Sequence, residues 1–136
     1  KEEEEPFDLL TMIGNLGQYL GDDARKRGID FITDLPDTPI IVHGLEARLA
    51  QVFVNLITNA VSFCEDGDAI RVWARKRENR VLVVVEDTGP GIPDKAVTKI
   101  YRSTDGGVIW AENIRPTEAD ITSEPLGARF VVGLPI

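Results

Sequence analysis

The chain is expected to adopt an α+β fold: a two-layer sandwich with helices on one face of a mixed, mostly antiparallel sheet. Three observations predict this. Apolar residues recur at helical spacing over two long stretches, 8–27 and 45–63. Strand-like alternation fills 69–77 and 80–87, joined only by Glu78-Asn79, a hairpin signal. The order of elements is mixed, and the strand pairs look antiparallel, which suits a sheet covered by helices on one side.

Taken in order, Glu2 to Phe7 is acidic and then apolar and reads as a short or edge strand. From Asp8, the residues Leu9, Leu10, Ile13, Leu16, Tyr19 and Leu20 mark a helix running to Arg27. Asp8 suits its N-cap and Gly28 its C-terminal stop. Gly14, Gly17 and Gly21 lower its propensity, so packing must hold it. Ile29 to Thr33 alternates as a strand, Leu35 to Pro39 is a turn, and Ile40 to His43 is a short strand. Leu45 to Phe63 is the strongest helix, with Leu45, Leu49, Val52, Phe53, Leu56, Ile57, Ala60 and Val61 on a wide apolar stripe. Glu65-Asp-Gly-Asp68 ends it and leads into the hairpin. Pro93 to Lys95 can start a short helix, with Val97, Ile100 and Tyr101 on its apolar face. Gly107 to Asn113 reads as a strand, Ile114 to Leu126 as a polar surface loop, and Gly127 to Pro135 as a final strand.

Composition narrows the function. A chain of 136 residues has the length of one domain and can bury a real core. Its formal net charge of −8 argues against nucleic acid and against an anionic membrane surface as partner. No apolar run approaches the roughly 18 residues of a spanning helix. Cys64 is the single cysteine, which excludes an internal disulfide and suits a reducing compartment. With His43 the single histidine, a zinc site is nearly excluded. The start at Lys1-Glu-Glu-Glu-Glu5, without Met, suggests a fragment of a longer protein.

Two stretches carry chemistry. Asn55 and Asn59 are one helical turn apart, so both amides share a face of an otherwise apolar helix. Either they lie on a solvent face or cap a loop, or their oxygens ligate a hard cation. Magnesium takes few protein ligands and keeps waters and phosphates, and an amide oxygen suits it. Asp87 leaves an apolar strand directly into Thr88-Gly-Pro-Gly91. That is either a glycine-bearing turn, or a carboxylate placed to accept from an exocyclic amine beside a backbone that a flat ligand can approach closely. Arg71 to Arg77, basic at alternate positions, reads as a solvated sheet face or else as a docking surface. Trp73 and Trp110 read as core or half-buried strand residues, Cys64 as a small buried hydrophobe, and His43 as a surface residue.

At these residues the chain resembles the ATP-binding catalytic domain of bacterial sensor histidine kinases, the Bergerat-fold group that also includes gyrase, Hsp90 and MutL. Gln51 to Phe63 resembles that family's N box, and Glu86 to Pro93 its G1 box. Gly106 to Asn113 resembles the strand after its third helix, and Gly127-Ala-Arg-Phe130 its last glycine motif. The resemblance spans essentially the whole chain, 1–136. It implies ATP and Mg2+ as ligands, with Asp87 on the adenine amine and Gly89, Gly91 and Ile92 in the adenine pocket. Asn59 would ligate magnesium. Asn55 would be the catalytic position on the phosphate side, and Ser62 would reach a phosphate. The implied partners are a histidine-bearing dimerisation domain of the same parent protein and a response regulator. There would be no nucleic acid and no direct membrane contact by this domain, a cytoplasmic part of a parent anchored in the bacterial inner membrane. Without its histidine-bearing bundle, the fragment should not phosphorylate itself.

Three departures from the family carry meaning. Hydrolysing relatives place a glutamate at the Asn55 position, and an amide is no general base, which favours transfer to histidine over water. Ser62 stands where a Lys or Arg is frequent and supplies no charge. Between the G1 box and Gly106, only 94–105 fills the space of a phenylalanine segment, a lid with a Gly-x-Gly turn, and a helix. Lys99 to Arg102 is either a remnant of that segment or a short substitute helix. Either the lid is deleted or diverged, or the chain as numbered omits it. A lidless domain opens a second reading, a degenerate module for weak nucleotide binding or protein docking.

Overall fold

The computed structural model describes residues 4–88, 100–102, 108–114 and 127–136. In chain order these form β1 (Glu5–Asp8), α1 (Leu9–Lys26), β2 (Asp30–Asp34), β3 (Ile41–Gly44), α2 (Glu46–Phe63), β4 (Ala69–Arg77), β5 (Arg80–Asp87), β6 (Ile100–Arg102), β7 (Val108–Ile114) and β8 (Gly127–Pro135). Among the described residues, the main sheet has the order β2-β4-β5-β8-β7-β6, and β1 pairs with β3 in a separate ribbon. The β2–β4 pair is parallel, and the other pairs are antiparallel. The expected two-layer α+β sandwich is present: α1 and α2 pack on each other, with α1 against β2 and α2 against β5.

The alternation read in the hairpin is the alternation of faces. Ile70, Val72 and Ala74 on β4 and Val81, Val83 and Val85 on β5 point to the helix layer and are buried. They meet Leu9, Ile13, Phe53 and Ile57 in one core. At roughly 25 cal/mol per Å2 of buried apolar surface, this layer contact is the main stabilising term. The opposite face of β4 carries Arg71, Trp73 and Arg75. Both guanidinium groups lie over the Trp73 ring, at 5.3 and 5.4 Å. Its Nε1–H donates to Glu86, and Arg71 pairs with Asp34 at 2.6 Å. The arginines are exposed, so the basic stretch is a solvated sheet face.

Asp8 caps α1 as its position suggests, and its Oδ1 accepts from Leu10 N at 3.1 Å. The same oxygen reaches Ile40 N at 3.4 Å, and Leu9 N donates to Ile40 O at 2.9 Å. The helix start is thereby sewn to the approach to β3. Gly17 lets α1 lie close to β2, because an added Cβ would stand 2.6 Å from Thr33 Oγ1. Exposed His43 and half-buried Trp73 accord with their sequence readings, whereas Cys64, read as buried, is half-buried and packs against the core.

Other expectations are corrected. Ile100–Arg102 is an edge strand paired with β7, not part of a short helix. Three residues are too few to show a period, although the partner strand follows closely, with Arg102 opposite Val108. Ile114, read as the start of the loop to Leu126, instead ends β7 opposite Gly127; the helix start at Pro93, the rest of the span 94–105 and residues 115–126 lie outside the described residues.

Candidate functional site

The site is built on the end of β5 and one face of α2. Strand β5 is held between β4 and β8, and at its end Asp87 stands opposite Ile70 on one side and Ala128 on the other. Asp87 is on the helix-facing side of the sheet, in phase with Val81, Val83 and Val85. It is 3 % exposed, and among the described residues it is the polar side chain found in the buried set. Carboxylates are seldom buried without a compensating arrangement, so this position is unusual for its residue type.

Helix α2 buries Phe53, Leu56, Ile57, Ala60 and Val61 and leaves the opposite face open. On that face Gln51, Asn55, Asn59 and Ser62 follow one another at successive turns, and all four are exposed. Thus neither Asn55 nor Asn59 carries a desolvation cost here. Gln51 Nε2 donates to Asn55 Oδ1 at 2.9 Å. Ser62 Oγ donates to the Asn59 carbonyl at 2.7 Å. The Ser62 proton is therefore committed to the helix backbone, and donation to a phosphate would require the hydroxyl to rotate. Gln51 was not among the residues singled out from the sequence. Its place one turn ahead of Asn55 is the signal that could have found it.

Sequence reasoning also missed a clamp beneath Asp87. The linker from α2 to β4 turns through Glu65-Asp-Gly-Asp68, with Asp68 N donating to Glu65 O at 2.9 Å and Gly67 at φ +96° in the third turn position. Asp68 Oδ2 accepts from Glu65 N at 2.8 Å, and its Oδ1 accepts from Thr88 Oγ1 at 3.2 Å. Thr88, directly after Asp87, thus connects the end of β5 to the exit of α2. Gly89, Gly91 and Ile92 lie outside the described residues.

The donors fit a magnesium nucleotide better than a protein-caged metal. Among the described residues, no cluster of three or more His, Cys, Asp or Glu side chains could hold a metal ion. Neutral amide oxygens on an open helix face suit a hard cation that brings its own phosphates and waters. Among the described residues, no helix is long and apolar enough to cross a membrane.

Comparison with known proteins places this geometry. The catalytic domain of the histidine kinase ThkA, solved without nucleotide, superposes with a TM-score of 0.80 at 24 % identity, covering 98 % of this chain and 96 % of that one. At that identity it speaks for the shared fold, the Bergerat-type sandwich. Sensor protein ChvG of Rhizobium meliloti is 34 % identical over 162 aligned positions, covering 94 % of this chain and 27 % of the relative. That alignment is longer than the 136-residue chain, so ChvG carries residues within the shared span that this chain lacks. Sporulation kinase A of Bacillus subtilis is 35 % identical over 96 residues, covering 71 % of this chain and 16 % of the relative. This chain therefore spans roughly a quarter or less of these kinases. The family described as histidine kinase-, DNA gyrase B- and HSP90-like ATPases matches residues 44–136, from the entry to α2 through β8. With a buried carboxylate ending β5 and an amide face on α2 inside that span, the chain belongs to this ATPase family as a histidine-kinase-type ATP-binding domain.

Proposed function

We propose that the chain is one domain of a longer sensor histidine kinase, and that it holds Mg-ATP so that the γ-phosphate is presented to a histidine on a separate dimerisation domain of the same parent. The buried carboxylate of Asp87 at the end of β5 carries this reading. It would accept from the adenine amine, with Gly89, Gly91 and Ile92 forming the pocket after it. Asn59 would take magnesium through its amide oxygen, and bound magnesium would neutralise phosphate charge. Asn55 would stand at the phosphates, oriented by Gln51. An amide cannot draw a proton from water at neutral pH, so this chain's part is positioning rather than hydrolysis.

The further partner would be a response regulator. The structure of ThkA with response regulator TrrA, at 25 % identity and a TM-score of 0.79, supports this. The resemblance read from the sequence would place the parent in the inner membrane with this domain on the cytoplasmic side, and the relative named a sensor protein supports a sensor role for that parent.

The test supplies the parent's histidine-bearing domain in trans with the chain, magnesium and γ-labelled ATP. Acid-labile, base-stable label on that domain is expected, with little phosphate release by the chain alone. Steady phosphate release without transfer would contradict the proposal.

A further inference from the structure

We infer that Asp68 is a positioning residue for the adenine end of the site, acting through Thr88 on Asp87. The inference rests on the nucleotide reading above and adds a residue outside both boxes.

The hydrogen bonds form a directed chain. Thr88 has one hydroxyl proton, and it points to Asp68 Oδ1 at 3.2 Å. The hydroxyl oxygen is then available to accept from Ala69 N at 2.9 Å. Thr88 N closes the ring by donating to Ala69 O at 3.1 Å. The hairpin pairing, whose last register pair is Ile70 with Asp87, is thus continued one residue further by a side chain. Asp68 is itself fixed from both sides. Its Oδ2 takes Glu65 N at 2.8 Å, and its carbonyl takes Asp30 N at 2.9 Å.

The consequence concerns where Asp87 points. Strand ends fray when their last pairs are unsupported. Asp87 is the last residue of β5, so its carboxylate direction follows the backbone at 87–88. A carboxylate that reads an exocyclic amine must be held closely in place, since small misplacements weaken recognition. The clamp lies at the surface: Thr88 is exposed and Asp68 half-buried. Its loss can therefore loosen Asp87 while the core stays folded.

The test is calorimetric titration of the chain with a magnesium-bound non-hydrolysable ATP analogue and with its guanine counterpart. Wild type, Asp68→Ala, Thr88→Val and the double variant are compared, with thermal unfolding of each. Each single variant is expected to bind the ATP analogue about 5- to 10-fold more weakly and to narrow the preference for adenine over guanine. The double variant should lose less than the two single losses combined, because the Asp68–Thr88 hydrogen bond is removed in each. Thr88→Ser, which keeps the hydroxyl, should restore affinity and preference. If Asp68→Ala does not fold, Thr88→Val, of nearly the same volume as wild type, decides alone. Wild-type affinity and preference in the single variants, even with a lowered Tm, would overturn the inference. Failure of the wild type to bind either analogue would overturn the nucleotide reading, and this inference with it.

Discussion

Gly28 closes α1 in a left-handed conformation, and replacing it with alanine has a cost that can be worked from two sources. Gly28 N donates to Arg25 O at 3.0 Å, and Ile29 N donates to Ala24 O at 3.1 Å. This is the paired pattern of a Schellman stop, completed by the buried contact residues Ala24 and Ile29. It requires the Gly28 φ of +78°, where an L side chain costs about 1–2 kcal/mol. The added Cβ would also stand 2.1 Å from Asp66 Oδ1, inside van der Waals contact. Asp66 is exposed and can swing away, at a rotamer cost of about 0.5–1.5 kcal/mol. Together Gly28→Ala is expected to lose about 2–3 kcal/mol. For a chain of this size that is a Tm lower by roughly 6–15 °C. Urea unfolding of wild type, Gly28→Ala and Gly28→Ala/Asp66→Ala measures both parts. The double variant should recover the rotamer part and keep the backbone part. A Gly28→Ala loss below about 0.5 kcal/mol would mean that the helix stop does not depend on this conformation.

Two further predictions concern stability. Asp8→Ala removes the α1 cap and is expected to cost about 1 kcal/mol at neutral pH. The Thr11 hydroxyl holds the Asp8 carboxyl below its ordinary value of 3.8; burial opposes this, and the Leu10, Ile40 and Thr11 backbone N–H groups reinforce it. A carboxyl lowered on folding stabilises above its ordinary value and loses that contribution as pH falls through its folded value. The gap between wild type and Asp8→Ala should therefore be constant from pH 7 to about pH 5 and close below 3.8, as followed by urea unfolding; a gap independent of pH would count against the cap. Trp73→Phe keeps a ring under Arg71 and Arg75 but removes the Nε1–H that donates to Glu86, leaving Glu86 with Arg129 at 3.8 Å. A loss of about 1 kcal/mol in chemical denaturation is expected, and no loss would mean the bond contributes nothing.

Much of the fold was legible because local patterns and tertiary contacts agree. The hairpin of β4 and β5 was readable from alternation and from Glu78-Asn79, and its register closes with Arg77 opposite Arg80. The final strand was bounded by Gly127 and Pro135, and α1 by Asp8 and Gly28. The start of α2 was softer, because Leu45 offers no capping side chain and the helix begins at Glu46. The parallel pairing of β2 with β4 could not be read, since it joins Phe31 to Ile70 across α2. At the site, Asp87 stood out as a charge ending an apolar strand. The Asp68–Thr88 clamp did not, because its partners are 20 residues apart and each is an ordinary turn residue alone.

The most direct measurement is titration of the chain with a non-hydrolysable ATP analogue, with and without magnesium, comparing wild type with Asp87→Asn and Asn59→Asp. Binding by the wild type is expected to strengthen with magnesium and to fall about 10-fold or more in Asp87→Asn. Asn59→Asp is expected to alter the magnesium dependence rather than the adenine preference. A wild type that binds no analogue, or an Asp87→Asn variant that binds as tightly as wild type, would contradict the assignment of Asp87 to the adenine end of an ATP site.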